Sequence, residues 1–169
     1  MLVIDIEGSG TNYDKHSIVS LGALDLHNPD NRIYLECQIW DGAHIMEGAL
    51  AVNGFTEAEI TDTGKMTEAE LVRNFTNWAE DIGDRTLAGQ NVSYDRDMLR
   101  AATERAGMDW HLAYRTIDTH TLCWMHMIKA GKTPPLDVEH HRSALNLDAV
   151  LNYCGIPDEP EPHSALTGA

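Results

Sequence analysis

A chain of 169 residues, 43% hydrophobic and 23% charged, is suited to one domain that buries its own core, about 70% of the unfolded surface for this size. Its formal net charge of -15 excludes broad non-specific binding to duplex nucleic acid, which draws most of its affinity from Lys and Arg on phosphate. Any phosphate contact has to be local, with bound divalent cations able to supply the positive charge that the chain lacks.

No apolar run approaches the roughly 20 residues of a membrane span. The opening Met1-Leu2-Val3-Ile4 is too short for a signal peptide and is soon interrupted by Asp5 and Glu7. Cys37, Cys123 and Cys154 form an odd set with no C-x-x-C pair, so neither a disulfide framework nor a zinc knuckle is written here. The expectation is a cytoplasmic protein in a reducing setting.

In chain order, Leu2-Val3-Ile4-Asp5-Ile6-Glu7 alternates apolar with other residues and runs into Gly8-Ser9-Gly10, which predicts a strand leading into a turn, its acids at an edge of the sheet. Residues 18–26 and 32–39 are rich in Val, Ile, Leu and Tyr, with turn chemistry at Asn28-Pro29-Asp30-Asn31 between them, so a hairpin follows. Thr67-Glu68-Ala69-Glu70 is a capping box, and Leu71, Val72, Phe75, Trp78, Ala79 and Ile82 then recur on one helix face. Residues 86–91 read as a short buried strand, followed by a helix over 93–106 that Gly107 ends. A further short strand is predicted at 116–118, helices at 119–130 and 145–154, a loop at 132–142, and a last helix from Ser164. Three opening strands followed by alternating strands and helices predict an α/β domain, a mixed sheet flanked by helices.

Asp5 and Glu7 stand two apart on a strand, so their carboxylates share a side and can reach one hard cation. Taken alone, the D-x-E pattern also fits a solvated strand end. Asn91 and Asp95 occupy a strand-to-helix junction, where Asp95 in the first turn suits the helix dipole and Ser93 reads as the cap. His163 follows the acidic, proline-rich stretch 157–162 and by itself is an ordinary surface residue.

Together these segments resemble a known family. Asp5-Ile6-Glu7, Asn53-Gly54-Phe55-Thr56, Asn91-x-x-x-Asp95, Thr116-Ile117-Asp118-Thr119, the stretch 145–157 and His163-Ser164-Ala165-Leu166 are similar, in order and spacing, to the DEDDh 3'-5' exonucleases, which have a ribonuclease H-like fold. The resemblance covers essentially the whole chain and implies one exonuclease domain over residues 1–169. It implies hydrolysis of terminal phosphodiesters by two divalent cations, Mg or Mn. In that scheme Asp5 bridges both cations, Glu7 binds one, Asp95 supports the second directly or through water, and His163 is the general base. Gly8, Ser9, Gly10 and Thr11, with Asn53 and Asn91, are the candidates to hold the terminal nucleotide. The implied partner is the 3' end of a single strand, DNA favoured, with the domain free-standing or attached to a polymerase or other nucleic-acid-processing complex.

One position departs from the pattern. Five residues after the histidine the family has an aspartate that completes the metal's carboxylates, and here that position is Gly168. The chain also ends at Ala169, earlier than such domains usually do, which leaves truncation open. The expectation is an enzyme with impaired turnover, and the alternative a non-catalytic module that binds nucleic-acid ends or a partner through the same fold. His120, His126, His140 and His141 have no metal-ligand spacing, the four tryptophans are scattered, and Asp118 reads as a helix cap.

Overall fold

The structure is a computed structural model that describes residues 1–158 and 164–169. The opening alternation forms β1 (Leu2–Gly8), whose Leu2, Ile4 and Ile6 are buried while Val3, Asp5 and Glu7 are half-buried on the other face. It pairs antiparallel with β2 (Ile18–Asp25), setting Asp5 opposite Gly22 and Glu7 opposite Ser20. β3 (Asn28–Gln38) continues the meander antiparallel to β2.

The reversal between these two strands comes earlier than the turn expected at 28–31. The chain turns at Leu26 and His27, between paired Asp25 and Asn28, and Asp25 Oδ1 accepts the His27 N–H at 3.0 Å. The pairing then shifts between Leu24 and Asp25, so that Leu24 faces Arg32 and Pro29 falls in the irregularity. A bulge needs no ladder donor from proline, which is how turn-like residues are absorbed into a strand.

Two short helices, α1 (Glu47–Asn53) and α2 (Glu57–Ile60), lead to β4 (Met66–Thr67), which lies parallel to β3. The predicted capping box is present: Thr67 and Glu70 satisfy each other's backbone N–H groups at the start of α3 (Glu68–Glu80), which buries Leu71, Val72, Phe75 and Ala79. Those side chains meet Ile4, Ile6, Leu21 and Leu87 in the core. Next come β5 (Leu87–Gly89), α4 (Ser93–Arg105), β6 (Thr116–Asp118) and α5 (Thr119–Lys129), with β5 parallel to both β1 and β6.

The expected loop at 132–142 holds a small hairpin of β7 (Leu136–Asp137) and β8 (Arg142–Ser143). The chain closes with α6 (Leu147–Cys154) and α7 (Ala165–Gly168). α6 starts two residues later than expected because Asn146 Oδ1 caps it, accepting the Ala149 N–H at 3.0 Å. Asp118 caps α5 as expected, accepting the His120 N–H at 2.8 Å. Ser93 does not cap α4: the N-cap is Val92, without a side-chain bond, because the chain enters through Asn91 at φ 53°.

The six main strands form one mixed sheet in the order β4-β3-β2-β1-β5-β6. β1 is therefore central, and its acids lie toward its carboxyl end rather than at a sheet edge as expected, since β2 and β5 flank it. Among the described residues no helix is long and apolar enough to cross a membrane.

One close approach fixes the last element. α7 crosses the face of β1 and β2 that carries Asp5 and Glu7, and a Cβ on Gly22 would run into the backbone carbonyl of Ala165. Gly22→Ala is expected to cost about 1–3 kcal/mol by overpacking this contact, measured by urea denaturation. An unchanged midpoint would show that α7 does not need the missing methyl.

Candidate active site

Leu2, Ile4 and Ile6 turn into the core, so the period of two leaves Asp5 and Glu7 together on the opposite face of β1. α4 brings the third carboxylate. Asp95, in its first turn and only 2% exposed, accepts the backbone N–H of Ile6 on Oδ1 at 2.9 Å, between the two strand acids. Burial, then the charge of Asp5 and, more weakly, that of Glu7, push the Asp95 carboxyl well above the ordinary range, although the N–H groups of Ile6 and of Asp95 itself work against the rise. Three acids are thus close enough to feel one another where solvent is scarce.

Position 168 reaches the same place. A Cβ built on Gly168 would lie 2.5 Å from Asp5 Oδ2 and 2.8 Å from its Cγ. Glycine therefore lets α7 rest against the Asp5 carboxylate. His163 lies outside the described residues. Among the described residues no group of three or more His, Cys, Asp or Glu side chains forms a ready-made metal-ligand cluster. Asp95 gives its Oδ1 to the β1 backbone.

Beside Glu7 a cleft of about 240 Å³ is lined by Gly8, Gly10, Thr11, Asn53 and Tyr94. The structure thus brings four of the sequence-predicted nucleotide-binding residues to one place. Ser9 and Asn91 do not line it. Ser9 is fully buried, its hydroxyl donating to the His44 carbonyl at 2.8 Å and accepting the Ser17 N–H at 2.9 Å. Exposed Asn91 lies at the entry to α4, where its N–H reaches Asp118 Oδ1 at 3.4 Å. Asn53 is 5% exposed and donates from Nδ2 to the Gly8 carbonyl at 3.1 Å, so it braces the loop.

The sequence reading missed Tyr94 and Ser20. Tyr94 immediately precedes Asp95, and its hydroxyl donates to the Gly10 carbonyl at 3.0 Å. Ser20 stands opposite Glu7 and is fully buried, with a hydroxyl that has no partner among the described residues. Only the strand register, which sequence alone does not give, could have found Ser20.

A larger cavity of about 760 Å³, with Trp40, Glu68 and Arg105 among its walls, contains none of Asp5, Glu7 and Asp95. Its polar wall is structural. Glu68 is 4% exposed and takes two bonds from Arg105, at 2.9 Å each, and one from the Ser17 hydroxyl at 2.8 Å.

No family model matches the chain. Among curated proteins it is similar to ribonuclease T of Vibrio vulnificus (strain CMCP6), 24% identical over 181 residues that cover 92% of this chain and 82% of that protein. Ribonuclease T of Escherichia coli (strain K12) is 25% identical over 137 residues, 72% of this chain and 63% of that protein. Among solved structures, exonuclease I from Methylocaldum szegediense superposes with a TM-score of 0.74 at 20% identity, covering 99% of this chain and 37% of that one. The zinc-bound form of an E. coli exonuclease I complex with single-stranded DNA gives 0.75 at 18% identity, with 99% and 37% covered. The chain thus spans little more than a third of the exonuclease I structures that it matches.

The mixed sheet, with acids at the end of its central strand and helices about it, is a ribonuclease H-like α/β fold. The chain is thus similar in sequence to ribonuclease T over most of its length and shares its fold with the exonuclease I structures.

Proposed function

We propose that this domain is a metal-dependent 3'-5' exonuclease acting on single-stranded nucleic acid, DNA favoured, with its turnover impaired by Gly168. The observation that carries this reading is the convergence of Asp5, Glu7 and buried Asp95 at the carboxyl end of the central strand, beside a glycine-containing loop that walls a cleft. Ribonuclease T over most of the chain, and exonuclease I complexes with dT13 and dA16 oligonucleotides, support the substrate class. Coupling to a polymerase or other processing complex is compatible with this reading and adds nothing to the site.

The residues fit divalent cations. Asp95 is held protonation-prone by burial and by its neighbours' charge, and a hard cation with oxygen ligands relieves that excess of negative charge. Asp5 and Glu7 would hold the ions, with Asp95, whose Oδ1 serves the Ile6 N–H, supporting directly or through water. Two ions of the Mg or Mn type, when bound, supply charge stabilisation to the attacking and leaving oxygens of the phosphodiester. His163 has the role of general base, since an imidazole that titrates near neutrality can take a proton from water. The cleft beside Glu7 receives the terminal nucleotide, where Gly8, Gly10 and Thr11 let the backbone come close. Position 168 is where a carboxylate would complete the set, because its Cβ direction leads to Asp5.

Matched single-stranded DNA and RNA, labelled at the 5' end and incubated with this chain and Mn, are expected to shorten slowly from the 3' end, DNA faster than RNA. Binding without any shortening would favour the non-catalytic end-binding module, the reading that Gly168 by itself suggests.

A further inference from the structure

Three consecutive carbonyls of the loop that walls the cleft are tied down. The Gly8 carbonyl accepts from Asn53 Nδ2 at 3.1 Å, the Ser9 carbonyl from the Met46 N–H at 2.8 Å, and the Gly10 carbonyl from the Tyr94 hydroxyl at 3.0 Å. The Ser9 N–H is also engaged, donating to the Ser17 carbonyl at 2.8 Å. By contrast the N–H groups of Gly10 and Thr11 have no acceptor among the described residues. With these three acceptors engaged by the protein, the spare N–H donors of Gly10 and Thr11 are left for phosphate or sugar oxygens.

Tyr94 is the one member of this clasp that comes from α4, where the next residue, Asp95, grips the Ile6 N–H. Two consecutive side chains of one helical turn therefore hold β1 and the loop after it at Ile6 and Gly10, and so couple the carboxylates to the cleft. The fit is close. A Cβ on Gly8 would come to 2.5 Å from the Tyr94 hydroxyl and 2.9 Å from the Gly10 carbonyl, so glycine at position 8 is what lets the tyrosine through.

We propose that Tyr94 is a positioning residue for the terminal nucleotide, its hydroxyl locking the loop after β1 so that the Gly10 and Thr11 N–H groups face the cleft. It touches neither the reacting atoms nor the ions. This inference rests on the exonuclease reading above. Removing the lock lets the Gly10 peptide turn, and the terminal nucleotide meets a loop that must first be ordered, which weakens binding more than chemistry.

The test uses Tyr94→Phe, which keeps the ring and deletes only the hydroxyl, on the Gly168→Asp background. KM for a short 5'-labelled DNA strand is expected to rise about five- to tenfold, one hydrogen bond's worth, with kcat within about twofold and the thermal midpoint nearly unchanged. Loss of kcat at unchanged KM, together with a lowered midpoint, would mean a merely structural role and overturn the proposal. So would unchanged KM and kcat. A Gly168→Asp protein that neither binds nor shortens the strand would overturn the exonuclease reading and this inference with it. A Gly168→Asp protein that binds and shortens the strand with the same KM whether position 94 is Tyr or Phe would overturn this inference alone.

Discussion

Gly168→Asp is expected to raise the rate of single-strand digestion by about 10²-fold or more, the size of effect seen when a key electrostatic contact in an active site is removed or supplied. On the proposed reading the present chain would offer the ions Asp5 and Glu7 with support from Asp95, and Mg retains water rather than accept a poor set of ligands. An added carboxylate on α7 arrives beside Asp5, because the Cβ of residue 168 points there at 2.5 Å from Oδ2. That distance has a cost as well. Asp5 has to rotate away from the new side chain, and two carboxylates without an ion between them repel. Gly168→Asp is therefore expected to lower the thermal midpoint in EDTA and to regain it with Mn, whereas the parent chain shows a smaller metal response. A midpoint that ignores both EDTA and Mn, with digestion no faster than that of the parent, would show that position 168 is not the absent ligand.

Asp95→Asn has the second large effect, and it runs in opposite directions for activity and stability. In the Gly168→Asp background turnover is expected to fall about 10²-fold, since the amide still accepts the Ile6 N–H but no longer carries the charge that supports an ion. In EDTA the same change is expected to stabilise the fold at neutral pH. An unfolded Asp titrates at about 3.9, while the folded Asp95 titrates well above that because of burial and the charges of Asp5 and Glu7. Between those two values the native state holds more protons than the unfolded state, so stability falls as pH rises through the window. Above the window the full penalty of the buried charge remains. Asp95→Asn removes this dependence, so the parent-to-variant difference in urea midpoint should be small near pH 4 and favour the variant near pH 7. A parent stability that rises over that range because of Asp95 would contradict the charge crowding on which the metal site depends.

Much of this was legible in the sequence, for identifiable reasons. The capping box at Thr67 and Glu70 and the single apolar face behind it are local signals, and α3 follows them almost to the residue. The acids at 5 and 7 were readable as a pair because the strand period is two. Their place in the sheet was not. An acidic strand end suggests an edge, and only the later arrival of β5 alongside β1 makes β1 central. The turn between β2 and β3 was set two residues late because Asn28-Pro29-Asp30-Asn31 has turn chemistry, which the strand accommodates as a bulge after reversing at Leu26 and His27.

In the site, the resemblance offered Ser9 and Asn53 as contacts of the substrate; Ser9 is wholly buried, whereas Asn53 lines the cleft and donates to the Gly8 carbonyl. Tyr94 went unnoticed because its partner, Gly10, is 84 positions away in the chain. The resemblance to the family singled out position 168, and in the structure a Cβ there would meet the Asp5 carboxylate.

The most direct measurement follows a 5'-labelled single DNA strand exposed to the Gly168→Asp protein, and to the same protein carrying Asp5→Ala, with Mn or with EDTA. A ladder that shortens from the 3' end with Mn, disappears in EDTA and is absent in the Asp5→Ala protein is the expected result. A strand left intact by the Gly168→Asp protein in Mn, or a ladder that persists without Asp5, would contradict the assignment of a metal-dependent exonuclease site to the end of β1.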